Sequence, residues 1–90
     1  MFPYDIVDAA AIRDYAIYLK FADGTEGTIK LDRLVKLPGV FEPLADKERF
    51  CEIRIDPRFH CIEWPNGADL APEVLYEKIK AAKPGQPVDY

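Results

Sequence analysis

Period-two alternation dominates the first third of the chain. In Tyr15-Ala16-Ile17-Tyr18-Leu19-Lys20-Phe21, the residues Tyr15, Ile17, Leu19 and Phe21 fall on one face, the spacing of a half-buried strand. Asp23-Gly24 then turns the chain into Thr28-Ile29-Lys30-Leu31, so the two segments read as a hairpin. Ahead of them, Ile6-Val7-Asp8-Ala9-Ala10-Ala11-Ile12 carries two signals. Its alanines suit a helix, while its short length and the Arg13-Asp14 turn behind it suit a strand; a strand is the expectation.

After Asp32 the alternation breaks. Asp32-Arg33-Leu34-Val35 reads as a short helix capped by Asp32 and stopped by Pro38-Gly39. Val40, Phe41, Leu44 and Phe50 are apolar anchors around a second helical turn near Asp46-Lys47-Glu48-Arg49. Cys51-Glu52-Ile53-Arg54-Ile55 alternates again, and Asp56-Pro57 opens a turn into Cys61-Ile62-Glu63-Trp64. With a loop of either about two or about four residues, Ile53, Ile55, Ile62 and Trp64 share a face, with Cys51 beside them and Cys61 opposite. Asn66-Gly67 reads as a tight turn needing positive φ. Pro72 suits the first position of a final helix whose apolar stripe is Leu75, Ile79 and Ala82. Ala71 is a poor cap, so Asp69 is expected to cover the free amides. The pattern predicts an α+β fold: a small, mostly antiparallel sheet of about five strands in hairpins, short helices after the third strand, and a C-terminal helix packed on the sheet. Residues 1–82 are expected to form one compact domain and residues 83–90, with two prolines and a glycine, a flexible tail.

Ninety residues bury only about 60 to 65% of the surface the unfolded chain exposes, so one modest core must hold the fold. The 49% hydrophobic and 31% charged composition is globular. Apolar runs fall short of the roughly 18 residues a bilayer requires, and no membrane segment is expected. Met1-Phe2-Pro3-Tyr4-Asp5 lacks the basic start and apolar stretch of a signal peptide, which makes the cytoplasm the expected location. A net charge of −4, from 16 acidic against 12 basic residues, disfavours a phosphate backbone as partner. Lys78, Lys80 and Lys83 form the densest basic group, but at the end of the last helix, where cations meet the helix dipole. No direct nucleic-acid binding is expected.

Candidate chemistry is sparse. The chain has no serine, Thr25 and Thr28 lie in the hairpin, and the single histidine, His60, would have to serve as base for Cys51 or Cys61. Neighbours on a strand diverge, so His60 and Cys61 do not meet. A metal site from Cys51, His60 and Cys61 fails for the same reason and lacks a fourth ligand. A disulfide needs Cβ atoms about 3.5 to 4.5 Å apart, whereas these cysteines are expected on opposite faces as free thiols. Asp69 and Glu73 share a face near the helix start, a place where the dipole alone favours acids. There is no glycine-rich phosphate loop. No catalytic, cofactor-binding or metal-binding residue is assigned, and no cofactor is expected.

Several segments together resemble a known family. They are Tyr15 after Asp14, Phe21-Ala22-Asp23-Gly24, Gly39-Val40-Phe41-Glu42-Pro43-Leu44, Phe50, Asp56-Pro57 and, above all, Trp64-Pro65-Asn66-Gly67-Ala68-Asp69-Leu70 with Leu75-Tyr76. In these the chain is similar to a bacterial domain of unknown function, DUF2442, over nearly the whole chain, from Tyr4 to Tyr76. The resemblance implies a compact α+β fold, often encoded beside another small uncharacterised protein in a toxin-antitoxin-like arrangement and sometimes fused ahead of a helix-turn-helix domain. It implies no activity. Position 60 looks like a glycine in the family; His60 stands there in this chain, and histidine tolerates left-handed backbone. Because the chain ends soon after the helix, the fused DNA-binding domain is expected to be absent, and direct operator contact would lack its usual apparatus.

A protein-interaction module is therefore the expected function, with the antitoxin-like half of a pair, its partner encoded nearby, as the specific form. The alternatives are a small enzyme with a carboxylate or thiol site, or an accessory subunit of a transcriptional regulator. The candidate interaction loop comprises Trp64, Pro65, Asn66, Gly67 and Asp69, with Tyr76 on the helix. Large aromatics dominate binding hot spots, although Trp64 reads first as a core residue. Homo-oligomerisation is left open.

Overall fold

The computed structural model describes residues 2–12, 15–83 and 86–90. Strands β1 (Ile6–Ala11), β2 (Ala16–Phe21) and β3 (Glu26–Lys30) form an antiparallel meander. Its inward face follows the alternation: Ile17, Leu19 and Phe21 are fully buried with Ile29 of the neighbouring strand. Each such side chain contributes about 1.5 to 3 kcal/mol through burial. Tyr15, at the head of this face, is half-buried, with φ 60. Its ring meets Phe50 edge-on at 5.4 Å and its hydroxyl donates to the Ala45 carbonyl. The Arg13-Asp14 turn lies outside the described residues.

Pairing of β1 with β2 shifts between Ile6 and Asp8, as a bulge does when it re-aims an edge. Ile6 N donates instead to His60 O at 3.1 Å. On the far side, β7 (Val88–Asp89) lies parallel to β3, pairing Ile29 with Val88. This strand falls within the segment expected to be loose.

Two 3-10 turns, Leu34–Lys36 and Glu42–Ala45, and a one-turn helix, α1 (Lys47–Phe50), follow the meander. Asp32 does not cap the first of them; Arg33 takes that position and no side chain bonds the free amides. Asp46 does cap α1, accepting from Glu48 N at 3.0 Å. Cys51 closes this helix instead of beginning a strand: its amide donates to Lys47 O and Arg49 O, and it is exposed, not on the buried face. Cys51 and Cys61 are both free thiols, so the expected pairing state holds while the register argued for Cys51 does not.

The strand that remains, β4 (Arg54–Ile55), pairs with β5 (Ile62–Glu63), which pairs in turn with β6 (Asp69–Leu70). The described residues thus form seven strands in two sheets, a mixed four-stranded one and an antiparallel three-stranded one, in place of one sheet of about five. The difference arises at Trp64–Ala68, where the chain reverses so tightly that Leu70 comes back opposite Ile62. Ile62 and Trp64 are buried, and Ile53 and Ile55 pack against them, as the spacing predicts.

Helix α2 (Pro72–Ala81) buries Leu75 and Ile79, with Ala82 half-buried just beyond its end. It lies so close to β3 that a Cβ at Gly27 would stand 2.8 Å from Ile79 Cγ2. Asp69 does not cap α2, and Ala71 supplies no side-chain bond. The register of β5 with β6 sets Asp69 opposite Glu63. No described helix is long and apolar enough to cross a membrane.

Candidate functional site

Two neighbouring surfaces hold the distinctive residues. In the first, Trp64 N donates to Ala68 O at 2.8 Å and Gly67 N to Trp64 O at 3.0 Å. Gly67 has φ 94, a conformation open to glycine without strain. The indole of Trp64 is 1% exposed, donates through Nε1 to Phe50 O at 2.9 Å, and lies against the rings of Phe41 and Phe50. Asn66 uses both ends of its amide: Oδ1 accepts from Ala68 N at 3.1 Å, and Nδ2 donates to Val40 O at 2.8 Å. Pro65, Asn66, Gly67 and Asp69 are exposed.

Of the six candidate residues, Pro65, Asn66 and Gly67 thus stand together with Val40, while Trp64 is turned into the core. Tyr76 is elsewhere. Half-buried on α2, it meets Phe21 edge-on at 5.2 Å and donates to Asp23 Oδ2 at 2.5 Å, fastening the helix to the first hairpin. That hydrogen bond, helped by those from Thr25, holds the Asp23 carboxyl at about 2.

The second surface is a cleft of about 600 Å³ between the N-terminal segment, the turn before β5 and the start of α2. The turn is the four-residue version, Pro57 to His60. Asp56 N donates to Cys61 O at 2.8 Å, and His60, at φ 55, adopts the left-handed backbone. Asp56 Oδ1 accepts from Arg58 N at 2.7 Å and Phe59 N at 3.2 Å. These amides hold the Asp56 carboxyl below its ordinary value. Arg58 and Phe59 point outward, the guanidinium 5.5 Å from the ring centroid. Phe59 is 67% exposed and Phe2, across the cleft, 60%. Phe2 stacks on Tyr4 at 5.2 Å and 5°.

Asp69 and Glu73 line this cleft together with Cys61. Burial pushes the Cys61 thiol up, and the charges of Asp56, Asp69 and Glu63 push it further. A thiol shifted upward keeps its proton at neutral pH and is a poor nucleophile. Among the described residues, no group of three His, Cys, Asp or Glu side chains is placed to hold a metal ion. Sequence reasoning missed Phe2, Tyr4 and Phe59 as a group. One signal was present: Phe59 is a large aromatic in an otherwise polar turn.

Fold and surface define a small α+β domain with a braced loop and no assembled catalytic constellation among the described residues. A family model matches residues 6–81, under the description "Protein of unknown function (DUF2442)", and the chain belongs to that family. No curated protein and no solved structure gives a match.

Proposed function

We propose that this domain works by binding another protein, and that the exposed loop from Pro65 to Asp69, with the adjoining start of α2, forms part of the contact. The observation that carries this reading is the double bracing of Asn66 to Ala68 N and Val40 O. A surface loop held in one conformation before contact loses less entropy on binding. Val40, 46% exposed beside Asn66, supplies apolar area, and Leu37 lies a few residues before it.

In its narrower form the partner is a small protein encoded nearby, with this chain as the antitoxin-like half of the pair; the family resemblance supports that form. An accessory subunit of a transcriptional regulator would use the same kind of surface. The acidic balance favours a protein over a nucleic acid as partner, and the cytoplasm is the proposed location. The raised pKa of Cys61 weighs against a thiol enzyme.

The test is co-expression with the neighbouring gene product, followed by capture. A Val40→Ser, Pro65→Ala double variant that stays folded is expected to weaken capture by about tenfold, the effect of losing a modest hot spot. Unchanged affinity would eliminate the loop as the interface. Failure of the unaltered chain to capture that product would remove the antitoxin-like form.

A further inference from the structure

We propose that the cleft beside α2 receives a segment of a partner protein in which a lysine or arginine neighbours an apolar residue. The cation is set between Asp69 and Glu73, and the apolar side chain lies on the rings of Phe2 and Phe59. The proposal rests on the protein-binding reading above but uses a surface distinct from Val40 and Pro65.

The charge pattern indicates the sign of the occupant. Asp69 stands directly opposite Glu63 across the β5–β6 pair, an arrangement of like charges that destabilises a sheet. Arg54 relieves Glu63 at 3.0 Å. Among the described residues no cation within 4.0 Å relieves Asp69 or Glu73. The dipole of α2 favours an acid at this end of the helix, and a cation arriving from outside would relieve its repulsion with Glu63.

The opposite sign is represented by the amides of α2, which no side chain caps, by Arg58 and, when protonated, by His60. The helix end amounts to roughly half a positive charge, and Arg58 is already drawn over Phe59. Three carboxylates, Asp5, Asp69 and Glu73, line the same cleft.

Aromatic exposure indicates the rest. Among the described residues, Phe2 and Phe59 are the most exposed of the large hydrophobic side chains, and both line this cleft. An aromatic face attracts a cation as well as an apolar side chain. A free inorganic cation would leave the apolar area of the two rings uncovered, and an acidic segment would meet Asp69 and Glu73.

The experiment titrates the ¹⁵N-labelled chain with the acetylated, amidated peptide Gly-Leu-Arg-Leu-Gly and, in parallel, with Gly-Leu-Glu-Leu-Gly. Saturable amide shifts are expected from the arginine peptide at Phe59, Cys61, Asp69 and Glu73, with Val40 and Gly67 unmoved, and none from the glutamate peptide. An Asp69→Asn, Glu73→Gln double variant, near-isosteric and on the surface, is expected to raise Kd by about tenfold, as is Phe59→Ala. Three results would overturn the proposal: no saturation by about 10 mM arginine peptide, a concentration covering weak millimolar contacts; equal or stronger binding of the glutamate peptide; or shifts centred on Val40 and Gly67. Since the probe is a peptide and not the natural partner, such failure removes the cleft proposal alone. The antitoxin-like form of the protein-binding reading is tested separately, by capture of the neighbouring gene product.

Discussion

The turns at Trp64–Ala68 and Pro57–His60 each join two short strands of one sheet, and each carries one left-handed residue, Gly67 at φ 94 and His60 at φ 55. They use their side chains in opposite ways. In the first, Trp64 and Ala68 are buried and Asn66 is bonded at both amide atoms. In the second, only Asp56 works inward, and Arg58 and Phe59 are left to solvent. The most distinctive string in the chain is thus constrained chiefly by folding. The residues without a folding role lie in a less conspicuous stretch, and it is there that a surface has side chains to offer.

The largest effect that can test this contrast is Trp64→Ala. It removes a fully packed indole and leaves Phe50 O without its donor, at a cost of about 3 to 5 kcal/mol. Against a typical total stability of 5 to 15 kcal/mol, roughly, that places the variant near the edge of folding, readable by urea unfolding. A loss below about 1 kcal/mol would show that the ring is not the keystone its burial implies.

Asn66→Ala comes next. It leaves the Ala68 amide and the Val40 carbonyl without their partner and is expected to cost about 1 to 3 kcal/mol. The drop should appear in the denaturation midpoint at unchanged slope. Full retention of stability would mean the loop is not braced, and the pre-ordered contact would lose its support.

Tyr76→Phe acts mainly in acid. The Asp23 carboxyl, at about 2 when folded against an ordinary 3.8, contributes stability that is present above its unfolded value and lost as pH falls through its folded one. Without the tyrosine hydroxyl its pKa should rise toward 3.8, and the loss of stability between about pH 4 and pH 2 should flatten. A carboxyl NMR titration reads the shift; an unmoved pKa would assign the depression to Thr25 and Lys80.

Phe59→Ala should alter stability least, by less than about 0.5 kcal/mol, as for an ordinary surface position. A large loss by urea unfolding would turn Phe59 into a folding residue and dissolve the contrast with Trp64.

Local signals account for what was legible. The inward face of β2 follows from alternation over six residues, because side-chain direction in a strand is a property of the backbone itself. The positive φ of Gly67 follows from equally local chemistry, and that of His60 agrees with the glycine that the family resemblance implies at its position. Cys51-Glu52-Ile53-Arg54-Ile55 shows where such reading fails: its alternation fits a strand, yet α1, capped by Asp46 and anchored by buried Phe50, takes Cys51 into its last turn.

By itself, the sequence determined the meander, the final helix, the tight turns and the faces of Ile53, Ile55, Ile62 and Trp64, each set by neighbours a few residues away. Tertiary structure alone decided that β4 and β5 take β6 as a third strand and form a sheet of their own, each strand two residues long. It also decided the parallel addition of β7 and the meeting of Phe2 with Phe59 and Asp69 at one cleft. A two-residue strand has no period to read, and a cleft built from distant segments is written in no one stretch of the chain.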